Sequence, residues 1–181
     1  MTQISATDLR PFIRTIPDYP RPGVQFRDIT TLLGNAPALR ATLVEMAAPW
    51  LDCGITHVAG IEARGFILGG ALAYLLAAAF VPLRKKGKLP HKTISVDYAL
   101  EYGMDKLEMH ADGVLAADRV LLVDDLIATG GSAAAAVRLL QSLDAQVVGA
   151  AFVIDLHELG GTAKLEQAGI KTLSLVRFEG H

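Results

Sequence analysis

Val120-Leu121-Leu122-Val123-Asp124-Asp125-Leu126-Ile127-Ala128-Thr129-Gly130-Gly131-Ser132 joins an apolar run, two adjacent carboxylates and a glycine-rich turn in one segment. The run 120–123 is short and continuous, which predicts a central parallel strand covered on both faces and ending at Asp124. Ligands of parallel sheets collect at the carboxyl ends of the strands, so Asp124 and Asp125 stand where a ligand would be held. An ionised carboxylate only accepts hydrogen bonds, and a vicinal diol offers two donors to such a pair. Ala128, Thr129, Gly130, Gly131 and Ser132 then open an alanine-rich helix. Glycines let the backbone approach an anion closely, the helix N-terminus adds partial positive charge, and the hydroxyls of Thr129 and Ser132 add donors. A strand, an acidic turn and a capped helix would account for the parts separately, since short motifs mislead readily. Together they make a cradle for a phosphorylated sugar.

Outward from this segment, strands and helices alternate, which predicts an α/β fold with a central, mainly parallel twisted sheet flanked by helices. Thr7-Asp8 reads as a cap for a first helix over 9–16, with Pro11 in its opening turn. Pro17, Pro20, Pro22 and Gly23 impose an irregular loop. Asn35 caps a helix over 37–52, closed by Gly54. Strand 57–61 leads into a helix over 66–79 and a strand over 80–83. Residues 93–100 and 107–110 form two antiparallel strands around the turn Tyr102-Gly103-Met104-Asp105. Strand 145–155, a helix over 162–168 and strand 171–178 complete the chain. No repeat, low-complexity tract or linker divides it, so 1–181 is expected to be a single domain.

Composition bounds the function without choosing it. A chain of 181 residues with a hydrophobic fraction of 51% can bury one substantial core. A formal net charge of −2 gives no global attraction to nucleic acid or to an anionic membrane, so neither is an expected partner and any anion site must be local. The single cysteine, Cys53, excludes an internal disulfide framework and suits a reducing cytoplasm. Residues 1–5 show no secretory signal. The uncharged stretch 66–83 approaches a membrane span in length, but Gly69, Gly70 and Pro82 divide it into a buried helix and a strand. Gly60 and Gly65 have the spacing of a nucleotide P-loop, yet Phe66 stands where that loop needs lysine. His157-Glu158 begins a zinc-protease pattern, but Gly161 occupies the place of its second histidine. No histidine or cysteine cluster has metal-ligand spacing, so no protein metal site is expected.

The segment 120–132 resembles the signature of the type I phosphoribosyltransferases, a hydrophobic strand followed by Asp-Asp-x-x-Ala-Thr-Gly-Gly-Ser/Thr. Four further stretches are similar to the adenine-using branch of that family. They are Tyr19-Pro20-x-Pro22-Gly23-x-x-Phe26-Arg27-Asp28-Ile29-Thr30, Glu62-Ala63-Arg64-Gly65-Phe66, Arg84-Lys85-x-Gly87-Lys88-Leu89-Pro90 and Leu100-Glu101-Tyr102-Gly103. The likeness runs in the family's order from about Pro17 to Phe178-Glu179-Gly180-His181. It implies the type I fold, with a small hood over 1–34 that contributes to the adenine site and a mobile β-hairpin lid over 93–110. It also implies transfer of the 5-phosphoribosyl group of phosphoribosyl pyrophosphate to N9 of adenine, giving AMP and pyrophosphate. Mg²⁺ would arrive on the substrate, held mainly by the pyrophosphate oxygens, and the protein would be a homodimer.

Bond breaking at the sugar C1′ builds positive charge on the ribose and negative charge on the leaving group, so positioning and electrostatics should dominate. The resemblance assigns Glu62, Ala63 and Arg64 to a pyrophosphate loop, where the Arg64 fork suits phosphate oxygens. Arg84 and Lys88 should close on the same group, with Lys85 and Lys86 outside the site. It assigns Asp124 and Asp125 to the ribose, and Ala128, Thr129, Gly130, Gly131 and Ser132 to the 5′-phosphate. Family members commonly carry threonine at the place of Ser132, and the hydroxyl is kept. Phe26 and Leu126 would cover the two faces of adenine, while the backbone around Gln25 and Arg27 reads its edge. Gln25 departs from the branched apolar residue usual there. Backbone reading preserves adenine selectivity; an inward amide would admit a 6-oxo purine. In the lid, Glu101 is the candidate for handling the purine proton and Tyr102 for contacting the leaving group, whereas Asp105 and Lys106 read as solvated charges.

Three alternatives share these features: the same chemistry on hypoxanthine, guanine or xanthine, a non-catalytic sensor of phosphoribosyl pyrophosphate, and an inert fold. Phe26-Arg27-Asp28 and Leu100-Glu101-Tyr102-Gly103 argue against the first. The absence of a helix-turn-helix before Phe26 and of a basic stripe argues against the second. Intact Asp124, Asp125, Arg64 and Glu101 argue against the third.

Overall fold

The computed structural model describes residues 8–100 and 103–179. After a 3₁₀ turn at Arg10–Phe12, strands β1 (Arg14–Pro17) and β2 (Gln25–Asp28) pair antiparallel as a small separate sheet. Helices α1 (Thr30–Leu33) and α2 (Ala36–Ala47) follow, then β3 (His57–Ile61), α3 (Arg64–Leu75) and β4 (Ala79–Lys85). Strands β5 (Thr93–Leu100) and β6 (Gly103–His110) form a hairpin. The chain then runs through β7 (Arg119–Ile127), α4 (Gly131–Gln141), β8 (Gln146–Leu156), α5 (Gly161–Gln167) and β9 (Lys171–Phe178).

The larger sheet has the order β5-β6-β4-β3-β7-β8-β9. Its pairs β3·β4, β3·β7, β7·β8 and β8·β9 are parallel, and the hairpin joins antiparallel through β6 and β4. Strand β7 is therefore central, as its apolar run predicts. Alternation along it feeds two cores: Val120 and Leu122 pack with α4 and the hairpin, while Leu121 and Val123 pack with Met46, Trp50, Leu68 and Leu72. Both faces of the sheet are covered, which is why the run carries no polar residue before Asp124.

Several expected boundaries move. The predicted first helix exists only as the turn Arg10–Phe12; Thr15 and Ile16 instead pair with Arg27 and Phe26, a distant partner that local propensity does not register. Helix α2 stops at Ala47 and tightens to a 3₁₀ turn carrying Pro49, which cannot donate into a continuing helix, while Asn35 does accept from the Ala38 N–H at 3.0 Å. Helix α3 starts earlier than expected, at Arg64, and ends at Leu75. Strand β6 begins at Gly103, so the expected turn residues 103–105 belong to the ladder. Strand β7 does not stop at Asp124 but pairs with β8 through Ile127. The two carboxylates lie on the ladder itself.

Candidate active site

The site forms where the carboxyl end of β7 meets the first turn of α3. Gly65 permits the approach: a Cβ there would stand 2.9 Å from the Val123 carbonyl oxygen and 3.0 Å from Asp124 Oδ1. Arg64, the first residue of α3, donates from Nε to Asp125 Oδ2. Asp125 is buried, and its backbone N–H donates to Asp124 Oδ1 at 2.8 Å. Asp124 is half-buried by surface area, but the protein crowds its carboxyl. That desolvation first, and the Asp125 carboxylate second, push its pKa well above the usual range.

A second pair of opposite charges stands beside the first. Arg84 at the end of β4 donates from Nε to Glu62 Oε2 at 2.7 Å and from Nη1 to the Lys88 carbonyl at 2.9 Å. The Glu62 N–H donates to the Leu83 carbonyl at 3.0 Å, tying the turn after β3 to β4. Ala63 is exposed in that turn, and so is Lys88 in the basic loop. Lys85 points instead to Asp105, at 3.3 Å. Both arginine side chains are therefore paired with carboxylates within the protein.

The glycine loop has the form its sequence predicts. Gly130 adopts φ +74°, a left-handed conformation that favours glycine, and α4 starts at Gly131. Thr129 is exposed at the loop tip, and Ala128 and Ser132 are half-buried.

Phe26 on β2 reaches the same region. The Arg64 guanidinium carbon lies 5.5 Å from its ring centroid, and the Tyr19 ring meets it edge-on at 5.2 Å. Gln25 beside it and Leu126 beyond the carboxylates are half-buried. The Arg27 side chain turns elsewhere: Nη1 donates to Thr15 Oγ1, and the guanidinium sits 4.2 Å over the Phe178 ring. Its side chain is thus engaged within the protein, with Thr15 and Phe178.

On the hairpin, Tyr98 is buried and donates its hydroxyl to Asp105 Oδ2 at 3.2 Å. Asp105 is thus no merely solvated charge, being held by Tyr98, Lys85 and the Lys106 N–H. Lys106 pairs with Asp97 at 3.2 Å, and Arg138 of α4 donates to the Asp97 carbonyl at 3.2 Å. Glu101 and Tyr102 lie outside the described residues.

Sequence reasoning missed the internal pairing of Arg64 with Asp125 and of Arg84 with Glu62. It also missed the role of Asp28, whose carboxylate accepts from the Thr30 N–H at 2.9 Å and the Thr30 hydroxyl at 2.7 Å. An Asp two residues before a threonine at a helix start is a recognisable turn signal, and it accounts for that part of the motif.

This arrangement can accept two hydroxyl hydrogen bonds beside a backbone anion cradle and two guanidinium groups. The chain matches the model of the phosphoribosyl transferase domain over residues 41–173. A relative from Beijerinckia indica, an adenine phosphoribosyltransferase, is 59% identical over 174 residues, covering 96% of this chain and 97% of its own. The chain belongs to the adenine phosphoribosyltransferase family. It is a pentosyltransferase of purine salvage that moves the 5-phosphoribosyl group of phosphoribosyl pyrophosphate to N9 of adenine, giving AMP and pyrophosphate. The solved adenine phosphoribosyltransferase of Rhodothermus marinus superposes with a TM-score of 0.90 at 49% identity, covering 94% of this chain and 96% of that one. The Saccharomyces cerevisiae family member, solved with adenine and an imino-altritol bisphosphate, gives 0.87 at 34% identity, with 94% and 98% covered.

Proposed function

We propose that the junction of β7, α3 and β2 is where this chain carries out the family's reaction, and that the internal ion pairs are exchanged for substrate contacts. The observation that carries this reading is the Arg64–Asp125 pair with the Arg64 guanidinium over the ring of Phe26, which gathers a phosphate ligand, a ribose ligand and a base ligand in one place. As phosphoribosyl pyrophosphate enters, its 2′ and 3′ hydroxyls donate to Asp124 and Asp125, and its pyrophosphate takes Arg64, with Glu62 and Ala63 forming the loop around it. Arg84 and Lys88 close from the basic loop. The 5′-phosphate takes the N–H groups and hydroxyls of Ala128, Thr129, Gly130, Gly131 and Ser132. A guanidinium that leaves a carboxylate for a phosphate keeps a charge-assisted bond, and Asp125, the buried member of the pair, accepts from the ribose hydroxyls in its place.

Adenine lies between Phe26 and Leu126, with its edge read by the backbone of Gln25 and Arg27. Glu101 accepts the N9 proton as the bond to C1′ forms, and Tyr102 contacts the departing pyrophosphate. The hairpin 93–110 acts as the lid that keeps water from the developing cation. The domain is the whole of 1–181, with 1–34 as its hood. Mg²⁺ enters as part of the substrate, because pyrophosphate oxygens are hard ligands. Among the described residues no group of three or more His, Cys, Asp and Glu side chains is gathered to hold a metal. No helix of the described residues is long and apolar enough to cross a membrane, and a cytoplasmic location suits the lone Cys53.

A homodimer is supported by the outer face of α3, where Ile67, Tyr74 and Leu75 are exposed beside an apolar groove lined by Leu39, Leu43 and Ala71. Calorimetric titration of phosphoribosyl pyrophosphate into wild type, Arg64→Ala and Asp124→Asn tests the site. The reading requires at least about tenfold weaker binding by each variant; unchanged binding by both would overturn it.

A further inference from the structure

We propose that Gly161 is a positioning residue for the 5′-phosphate loop. It is the residue that breaks the apparent zinc-protease pattern His157-Glu158. It is the first residue of α5, follows Gly160, which adopts φ +73°, and is buried. Its N–H donates to the Ala128 carbonyl at 3.0 Å. A peptide plane is rigid and trans, so a carbonyl and the following N–H point in opposite directions. Fixing the Ala128 carbonyl on α5 therefore aims the Thr129 N–H away from α5, out of the loop.

The contact leaves room for nothing but hydrogen on either side. A Cβ at Gly161 would stand 2.3 Å from the Ala128 carbonyl oxygen, 2.7 Å from the Gly130 nitrogen and 2.8 Å from Ile127 Cγ1. A Cβ at Gly130 would stand 2.9 Å from the Gly161 Cα. Two of the three atoms met at Gly161 are backbone of the loop itself. They cannot rotate away like a flexible side chain, so a methyl at Gly161 must displace Ala128-Thr129-Gly130. Gly161 touches no substrate group in this account and acts through the loop. The inference rests on the assignment of 128–132 to the 5′-phosphate.

The test compares ligands that use different parts of the site. In calorimetric titrations, Gly161→Ala is expected to bind ribose 5-phosphate about ten- to a hundredfold more weakly than wild type, and pyrophosphate within about twofold. Its KM for phosphoribosyl pyrophosphate should rise while its KM for adenine holds. Equal ribose 5-phosphate binding by wild type and variant, or equal weakening of both ligands, would overturn the inference while the loop assignment stands. Wild type that fails to bind ribose 5-phosphate would overturn the loop assignment and the inference together. Should the variant not fold, amide resonances of labelled wild type decide: ribose 5-phosphate should shift both Thr129 and Gly161, and pyrophosphate should leave Gly161 in place. A Gly161 resonance unmoved by saturating ribose 5-phosphate would overturn the inference.

Discussion

Arg64 Nε donates to the Asp125 carboxylate, joining the first residue of α3 to the far end of the central strand β7. Asp125 is only 4% exposed, so the guanidinium is the partner of a buried carboxylate. Replacing Arg64 by alanine should cost twice. The catalytic efficiency for phosphoribosyl pyrophosphate is expected to fall about 10²–10³-fold, the usual scale for removing a charge-stabilising donor. Asp125 loses its partner as well, and chemical denaturation should register a stability loss of about 1–3 kcal/mol.

Asp124 should show the opposite relation between stability and activity. Its folded-state pKa is raised by desolvation and by Asp125. An acid of this kind loses stability as pH rises from its unfolded value, about 3.9, through the higher folded one. Asp124→Asn keeps an oxygen for the Asp125 N–H and removes that loss. The variant is expected to melt at a higher temperature than wild type at pH 8, with the gain shrinking toward pH 4, while AMP formation falls by about a hundredfold or more. Melting curves at both pH values and one rate assay check it.

Asp28 titrates with the reverse sign. The Thr30 N–H, then the Thr30 hydroxyl, hold its pKa below the ordinary value. Its contribution is present in full above the unfolded pKa and is lost as pH falls through the lower folded one. Asp28→Asn should cost about 1–2 kcal/mol at pH 7, and the gap to wild type should begin to narrow as pH falls below about 4. Urea unfolding at pH 7 and pH 3.5 measures it.

Strand β3 and strand β9 were legible to the residue, β3 as a short, mostly apolar run and β9 as a mixed polar and apolar stretch that starts just after Gly169 and ends just before Gly180. Strand β7 was legible as central but not in length, since paired aspartates read as a strand end and only the partner β8 carries the ladder past them. Strand β1 was unreadable for a related reason: Thr15 and Ile16 gain their conformation from β2, beyond a proline-rich loop. In the candidate site, residue types with a chemical signature stand out in the sequence, including the aspartate pair, the glycine loop and Arg64. Their pairings were not, because Arg64 meets Asp125 and Gly161 meets Ala128 only through the packing of α3 and α5 on the sheet.

The apolar face of α3 yields a prediction about assembly. Tyr74 is 86% exposed and Ile67 53%, a combination that isolated chains seldom maintain on one helix. Ile67→Glu with Tyr74→Glu should convert a wild-type dimer to monomer in sedimentation velocity. A wild type that sediments as a monomer would remove the interface.

This site is expected to make AMP from adenine. With phosphoribosyl pyrophosphate and Mg²⁺ supplied, nucleotide formation should be measured separately on adenine, hypoxanthine, guanine and xanthine. AMP is expected to form at least about a hundredfold faster than any other nucleotide, with Gln25 contributing only its backbone. Equal or faster turnover of a 6-oxo purine would contradict the base assignment, and folded protein that yields no nucleotide from any base would contradict the account as a whole.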